Sequence, residues 1–281
     1  MAKSAIKSVL VIGAGANDVQ HGDELDAATY QITTAFKKLG ITTILADDNP
    51  FSVSLENRAA VDHACIGPLN VEHLVTLIEH YHPQAILPTV GNQHAFELTQ
   101  ALLEKGIIQK LDIKLLGVPE ATIRQVNNPV LLSRTLHKMD APMKSVVTVS
   151  NYQDALEEAR KLGYPVIIRS VLPKSNSTRR IVHDQRELAS AVQNCLSQSR
   201  AEQVLVQQSL AGYKEIEVVV QRDASGTMMM LSMIEDMDPI GIHAGDSVAF
   251  NPPQTLLDRQ IQDMRDTAFA ITRKLRIVGT N

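Results

Sequence analysis

Tryptophan is absent from this sequence, and aromatic residues make up only 4% of it. Base-stacking platforms for nucleic acid are therefore poorly supplied. Positive charge is not in surplus either: 27 Lys and Arg stand against 31 Asp and Glu, a formal net charge of −4. That balance argues against nucleic acid and anionic membrane surfaces as partners. Cysteine is limited to Cys65 and Cys195, neither in a C-x-x-C pair nor beside a metal-spaced histidine. A disulfide framework is thereby excluded, and a reducing, cytoplasmic setting is the expectation. Long hydrophobic runs are also lacking. The run Ser8–Ile12 near the N-terminus is too short for a signal h-region or a membrane span.

What remains is an ordinary globular composition, 44% hydrophobic and 21% charged over 281 residues, which suits about two domains. The β-branched run Ser8-Val-Leu-Val-Ile12, apolar on both faces, predicts a buried parallel strand. Gly13-Ala-Gly15 after it predicts a tight strand-to-helix turn. Helical spacing runs from Ala27 to Leu39 and stops at Gly40. Further strands are expected at Ile41–Ala46, His63–Ile66, Ala85–Pro88 and Lys114–Leu116, and helices at Val71–Tyr81 and Phe96–Lys105. Alternation of strand and helix with short loops predicts a doubly wound, mostly parallel sheet over residues 1–120.

Beyond residue 120 the pattern becomes α+β. Helices are expected at Asn128–Lys138, Asp154–Leu162, Glu187–Leu196 and Gln260–Leu275. Strands are expected at Ser145–Val149, Pro165–Arg169, Arg180–His183, Val204–Gln207, Glu215–Arg222 and Met228–Ile234. The last two are joined by Asp223-Ala-Ser-Gly226, a hairpin signal.

Several segments have the residue types that chemistry needs, and each also has a plain structural reading. Gly13-x-Gly15 begins a dinucleotide fingerprint, but Asp18 replaces its third glycine, which leaves a structural turn as the better reading. Asp47 and Asp48 end the second strand, where a ribose-binding acid sits in dinucleotide folds. His21, Asp23, Glu24 and Asp26 cluster without metal spacing and suit a loop or helix N-terminus. Glu215 and Glu217 share one face of a strand. The loop Asp238-Pro-Ile-Gly-Ile-His-Ala-Gly-Asp246 places ionisable groups on flexible backbone, as a ligand-contact loop requires. Lys174, Arg179 and Arg180 in Pro173–Arg180 suit either a phosphate site or a solubilising turn.

Taken together, Ser8-Val-Leu-Val-Ile-Gly-Ala-Gly, Ala85-Ile-Leu-Pro-Thr-Val-Gly, Gly163-Tyr-Pro-Val-Ile-Ile-Arg169, Gly212-Tyr-Lys-Glu-Ile-Glu-Val, Met237-Asp-Pro-Ile-Gly-Ile-His-Ala-Gly-Asp-Ser and Pro253-Gln-Thr-Leu resemble the carbamoyl phosphate synthetase large subunit. The match is to its N-terminal, carboxyphosphate-forming half. The resemblance implies a Rossmann-like preceding domain (1–120) and an ATP-grasp domain (121–281). The latter would comprise a first lobe of about 121–205 and a partial second lobe of about 206–281. It implies ATP and Mg²⁺ as cofactors and bicarbonate activation as the chemistry, in pyrimidine and arginine biosynthesis. By the same resemblance, Arg169 meets the ATP phosphates, Glu215 the ribose, Leu210 the adenine through its backbone, and Gly241, Ile242 and His243 the nucleotide near ribose and phosphates. Gln208 stands where the family has an acid in the hinge.

The departures carry equal weight. The family's mobile glycine-rich loop, which offers backbone N–H groups to phosphate, is replaced by the glycine-free Pro173-Lys-Ser-Asn-Ser-Thr-Arg-Arg180. Pro129 stands in place of an arginine, and Gly91-Asn-Gln-His94 in place of Gly-Gly-Gln-Thr. The glutamine, glutamate and asparagine that hold the family's metal ions fall beyond Asn281. The expectation is a chain that is not catalytic by itself, with another chain or a second copy completing the lobe. The alternative is a non-catalytic relative acting through nucleotide or protein binding.

Overall fold

The computed structural model describes residues 6–16, 22–139, 141, 146–171, 179–199, 201–243 and 247–281. These form two compact units. One comprises residues 1–129, 217–234 and 243–281, the other residues 130–216 and 235–242.

The first unit begins with β1 (Ser8–Ile12), α1 (Gly22–Lys38), β2 (Thr42–Asp47), α2 (Val53–Glu56), β3 (His63–Ile66), α3 (Val71–Tyr81), β4 (Ala85–Leu87), α4 (Gln93–Glu104), α5 (Ile107–Lys110), β5 (Lys114–Leu115) and α6 (Glu120–Val126). Its sheet runs β3-β2-β1-β4-β5, and every pairing is parallel. Both faces are buried, as the unbroken apolar strands require. Leu10, Ile12, Ile44 and Ile86 pack on one side with α3 and α4, while Val9, Val11, Leu45 and Leu87 join Phe36 of α1 on the other.

Helix α1 starts at Gly22, ahead of the expected Ala27. The acidic residues near its start explain the extension, since carboxylates near a helix N-terminus oppose its dipole. Asp26 has a second duty. Its carboxylate accepts hydrogen bonds from Ser52 Oγ, Ser54 Oγ and the amides of Val53 and Ser54, which pins the entry to α2. The acidic cluster thus reads as structural at Asp26, whereas His21 lies outside the described residues.

The second unit holds α7 (Pro129–His137, of which Pro129 groups with the first unit), β6 (Val146–Val149), α8 (Tyr152–Leu162), β7 (Val166–Ser170), β8 (Arg179–Val182), α9 (Gln185–Ser197) and β9 (Val204–Gln208). The sheet order is β6-β9-β7-β8, and all pairings are antiparallel. Side chains of α8 and α9 cover one face. Asn151 and Asp184 cap these helices, accepting from the amides of Asp154 and of Arg186 and Glu187.

The remaining strands are β10 (Lys214–Arg222), β11 (Met228–Pro239), β12 (Ala249–Phe250) and β13 (Gly279–Thr280), with α10 (Asp258–Leu275) before the last. Their sheet order is β12-β11-β10-β13. β11 continues five residues past the expected end at Ile234, because its alternation continues through the buried Glu235. Within the first unit, Thr122 Oγ1 donates to Leu275 O, and Val278 N donates to Gly117 O at 2.9 Å. The first ties α6 to the end of α10, and the second ties the residue before β13 to the segment ahead of α6.

Partial burial raises the pKa of Asp26, but the hydrogen bonds from Ser54, Ser52 and the two amides outweigh it, so its carboxyl lies below the usual carboxylate range. A depressed folded pKa contributes stability above the unfolded pKa of about 4 and loses it as pH falls through the folded value. Asp26→Ala is expected to cost about 1–3 kcal/mol at pH 7 and to lessen the loss of stability below about pH 4. Urea unfolding across pH measures both, and an unchanged acid limb would refute the assignment.

Candidate functional site

The polar groups singled out by sequence gather in two places, one in each unit. The first is the glycine turn after β1. Gly13 N donates to Ala46 O at 2.9 Å. Asp47 is almost fully buried, and its carboxylate accepts from Asn49 N at 2.8 Å and from Gly15 N. Asp48 Oδ1 accepts from Ala16 N at 2.7 Å. Close approach explains the glycines. A Cβ on Gly13 would lie 2.1 Å from Asp47 Oδ2, and Gly15 adopts φ +74°, which favours glycine.

The amides of Gly15 and Ala16, which in a dinucleotide fold would face a pyrophosphate, therefore face carboxylates of the same chain. Burial pushes the Asp47 carboxyl up, the amides of Asn49 and Gly15 pull it down, and the charges of Asp48 and Asp26 add to the rise. Gly91-Asn-Gln-His94 is equally engaged. Asn92 Nδ2 donates to Ala14 O, and its Oδ1 accepts from His94 N to cap α4, both at 2.8 Å. His94 Nε2 lies 2.8 Å from Leu69 O, and the ring is pushed toward protonation chiefly by Glu97. Asp18 lies outside the described residues.

The second place is the face of the β6-β9-β7-β8 sheet turned away from α8 and α9. Val166, Ile168, Val182, Val204 and Val206 belong to the helix-packed core. Alternation then places Ile167, Arg169, Arg179, Ile181 and Leu205 on the opposite face. Arg169 is directly opposite Arg179 on one side and Leu205 on the other. Arg169 is half-buried, and burial first, then the charge of Arg179, lowers its pKa. Among the described residues no carboxylate pairs with either guanidinium.

A turn from the end of β11 adjoins this face. A Cβ on Gly241 would lie 3.7 Å from Arg179 Nη2, and Gly241 has φ +87°. Ile242 N donates to Pro239 O, and Ile240 N to Tyr213 O, both at 3.0 Å; Tyr213 N donates to Leu210 O at 2.9 Å. Leu210, Gly241 and Ile242 are thus tied into one backbone network. Glu215, half-buried, follows two residues after Tyr213 on β10. His243 takes a left-handed backbone at φ 48° and groups with the first unit.

Gln208 lies opposite Val166, so alternation sets it on the face away from Arg169. Arg180 lies opposite Ile168 on the helix-packed face, where its charge reaches Cys195 of α9. The basic trio of Lys174, Arg179 and Arg180 is therefore not one site, because adjacent strand residues point to opposite faces. Lys174 lies outside the described residues. Sequence reasoning missed Glu235, a buried carboxylate 3.4 Å from Lys214 Nζ. The signal was the alternation of β11, which continues past Ile234. Among the described residues no three His, Cys, Asp or Glu side chains gather as a metal site, and no helix is long and apolar enough to cross a membrane.

The fold, a doubly wound parallel sheet followed by antiparallel α+β sheets, is that of the ATP-grasp proteins. It superposes on biotin carboxylase from Campylobacter jejuni, solved as a β-γ-ATP complex, with a TM-score of 0.75 at 18% identity, covering 98% of this chain and 61% of that one. It also matches the biotin carboxylase domain of Hydrogenobacter thermophilus 2-oxoglutarate carboxylase, solved with MgADP, ADP and bicarbonate. There the TM-score is 0.74 at 18% identity, covering 99% of this chain and 60% of that one. Residues 130–281 match the model of the carbamoyl-phosphate synthase L chain ATP binding domain, and residues 5–125 that of the carbamoyl phosphate synthase preATP-grasp domain. The chain belongs to the carbamoyl phosphate synthase large-chain family. It is 35% identical over 276 residues to the arginine-specific large chain of Lactiplantibacillus plantarum, covering 98% of this chain and 27% of that protein. To the carbamoyl phosphate synthase large chain of Agathobacter rectalis it is 36% identical over 274 residues, covering 98% of this chain and 26% of that protein. It thus spans about a quarter of the length of these relatives.

The geometry of the first turn predicts that Asp47→Ala lowers stability by about 1–3 kcal/mol, the cost of buried donors left without a partner, while leaving nucleotide affinity unchanged. Urea unfolding and calorimetric titration test the two halves. Affinity that falls without a loss of stability would make the turn a ligand site.

Proposed function

We propose that this chain binds ATP on the face of the second unit's sheet opposite α8 and α9 and serves the ATP-dependent activation of bicarbonate for carbamoyl phosphate synthesis. The observation that carries the reading is Arg169: half-buried, with no carboxylate partner among the described residues, and directly opposite a second arginine beside the Gly241 turn. Buried charge of one sign calls for a counter-charge, and a guanidinium matches phosphate oxygens in fork geometry. Family membership supplies the nucleotide.

In this reading Arg169 holds the phosphates and Glu215 accepts from the ribose hydroxyls. The backbone at Leu210 meets the adenine, and Gly241, Ile242 and His243 line the nucleotide between ribose and phosphates. Gln208 closes the hinge through its backbone, since its side chain lies on the helix-packed side. A bicarbonate oxygen attacks the γ-phosphorus, the bond to the β–γ bridging oxygen breaks, and ADP leaves with carboxyphosphate formed. Phosphoryl transfer of this kind uses Mg²⁺ to neutralise charge between the β- and γ-phosphates. Among the described residues no three His, Cys, Asp or Glu side chains gather to hold that ion.

The reading divides the chain into a preceding domain (1–120) and an ATP-grasp domain (121–281, with lobes at about 121–205 and 206–281), places it in the cytoplasm, and leaves metal binding to another chain or segment. A second reading, nucleotide binding without turnover, is favoured by one observation: no glycine lies between Pro173 and Arg180, where the family's phosphate loop stands.

Titration with a non-hydrolysable ATP analogue and Mg²⁺ is expected to show micromolar binding. Arg169→Ala is expected to weaken it by about 1.5–3 kcal/mol, the scale of a charged hydrogen bond. No binding at millimolar analogue by a cooperatively folded chain would overturn the proposal. ATP hydrolysis that rises with bicarbonate separates the catalytic reading from the second one.

A further inference from the structure

We infer that Arg179 is itself a phosphate-binding residue, which joins Arg169 in a two-guanidinium clamp for the oligophosphate chain of the nucleotide. The inference rests on the ATP-binding reading and adds a side-chain contact to it. β7 and β8 pair antiparallel with Arg169 opposite Arg179, and like charges directly opposite each other on a sheet face repel. No carboxylate among the described residues relieves that repulsion. An anion of two or more charges bridging both forks would relieve it.

The plain alternative is that Arg179 is a solubilising charge on an edge strand, since β8 ends the order β6-β9-β7-β8 and edge strands commonly carry charge. Three observations separate Arg179 from that role. Its opposite number Arg169 is half-buried on the inner strand β7, away from the edge. Its guanidinium borders the Gly241 turn, with Nη2 3.7 Å from where a Cβ on Gly241 would stand. Its neighbour Arg180, exposed like Arg179 itself, stands on the opposite face, so the two differ in what they face and not in exposure. A backbone cradle binds phosphate through amide groups at glycines. Here a side chain on a regular strand would do it, and the site would need no glycine-rich loop.

The test titrates ADP, inorganic tripolyphosphate and adenosine separately into the wild-type chain and into Arg169→Ala, Arg179→Ala and Arg180→Ala. A thermal melt of each variant confirms that it folds. Arg179→Ala is expected to weaken ADP and tripolyphosphate about tenfold or more and to leave adenosine unchanged. Arg180→Ala, with the same loss of charge on the other face, should stay within about twofold for all three. Wild-type affinity for ADP in Arg179→Ala, with loss in Arg169→Ala, would overturn the clamp and leave the ATP reading standing. Tripolyphosphate binding that needs both arginines, with ADP bound no better than tripolyphosphate, would keep the anion site and overturn the nucleotide. Equal weakening by Arg179→Ala and Arg180→Ala would reduce both to general surface charge.

Discussion

The alternation of β7 is the constraint on which the second unit depends. Val166 and Ile168 enter the core under α8 and α9, so Ile167 and Arg169 must face the other way. A one-residue slip would turn Arg169 in among the aliphatic side chains under α8 and α9, and the cost of burying an unpaired charge forbids it. The same register fixes which arginine of β8 meets Arg169. Arg179 does and Arg180 does not, although the sequence presents them as a pair. Register therefore sets the charge density of one face, and that density decides what the face can bind.

Much of the fold was legible in the sequence. The apolar stretches Val9–Ile12 and Ile44–Ala46, within the strands expected at Ser8–Ile12 and Ile41–Ala46, are buried on both faces, as inner parallel strands are. α3, α8 and α9 follow from amphipathic spacing and from Asn70, Asn151 and Asp184 at their N-caps. The short strands β12 and β13 were not legible. Each has two residues, and a strand that short exists only because a partner provides its hydrogen bonds: Gln221 and Arg222 pair with Thr280 and Gly279. Pairing across so many residues leaves no local trace. α6 was missed for a related reason. Its seven residues are held by burial of Ile123 and by the bond from Thr122 to Leu275.

The candidate site was legible in residue type and illegible in arrangement. Arg169, Glu215 and the Gly241–His243 segment were named from motif. That Gln208 turns away from Arg169 follows only once the pairing partners are known, and that Arg180 leaves Arg179 only once both are known to lie on β8. The turn after β1 shows the converse. Its glycines invited a nucleotide reading, yet they are required by the approach of Asp47 and Asp48, whose carboxylates take the amides of Gly15 and Ala16.

These two glycine-bearing turns differ in the sign of the charge beside them, and the difference separates scaffold from site. At Gly13–Gly15 the neighbouring charges are carboxylates supplied by the chain, and the donors of the turn are satisfied internally. Such a turn gains nothing from an anion and would repel one. At Gly241 the neighbouring charge is Arg179, with Arg169 beyond it and no acid among the described residues to balance them. Folding alone gives no reason to oppose two arginines on one face, because the pair destabilises the sheet it stands on. A polyanion supplies the reason, and within a family that contains an ATP binding domain the phosphate chain of a nucleotide is the polyanion whose shape fits two forks held on adjacent strands.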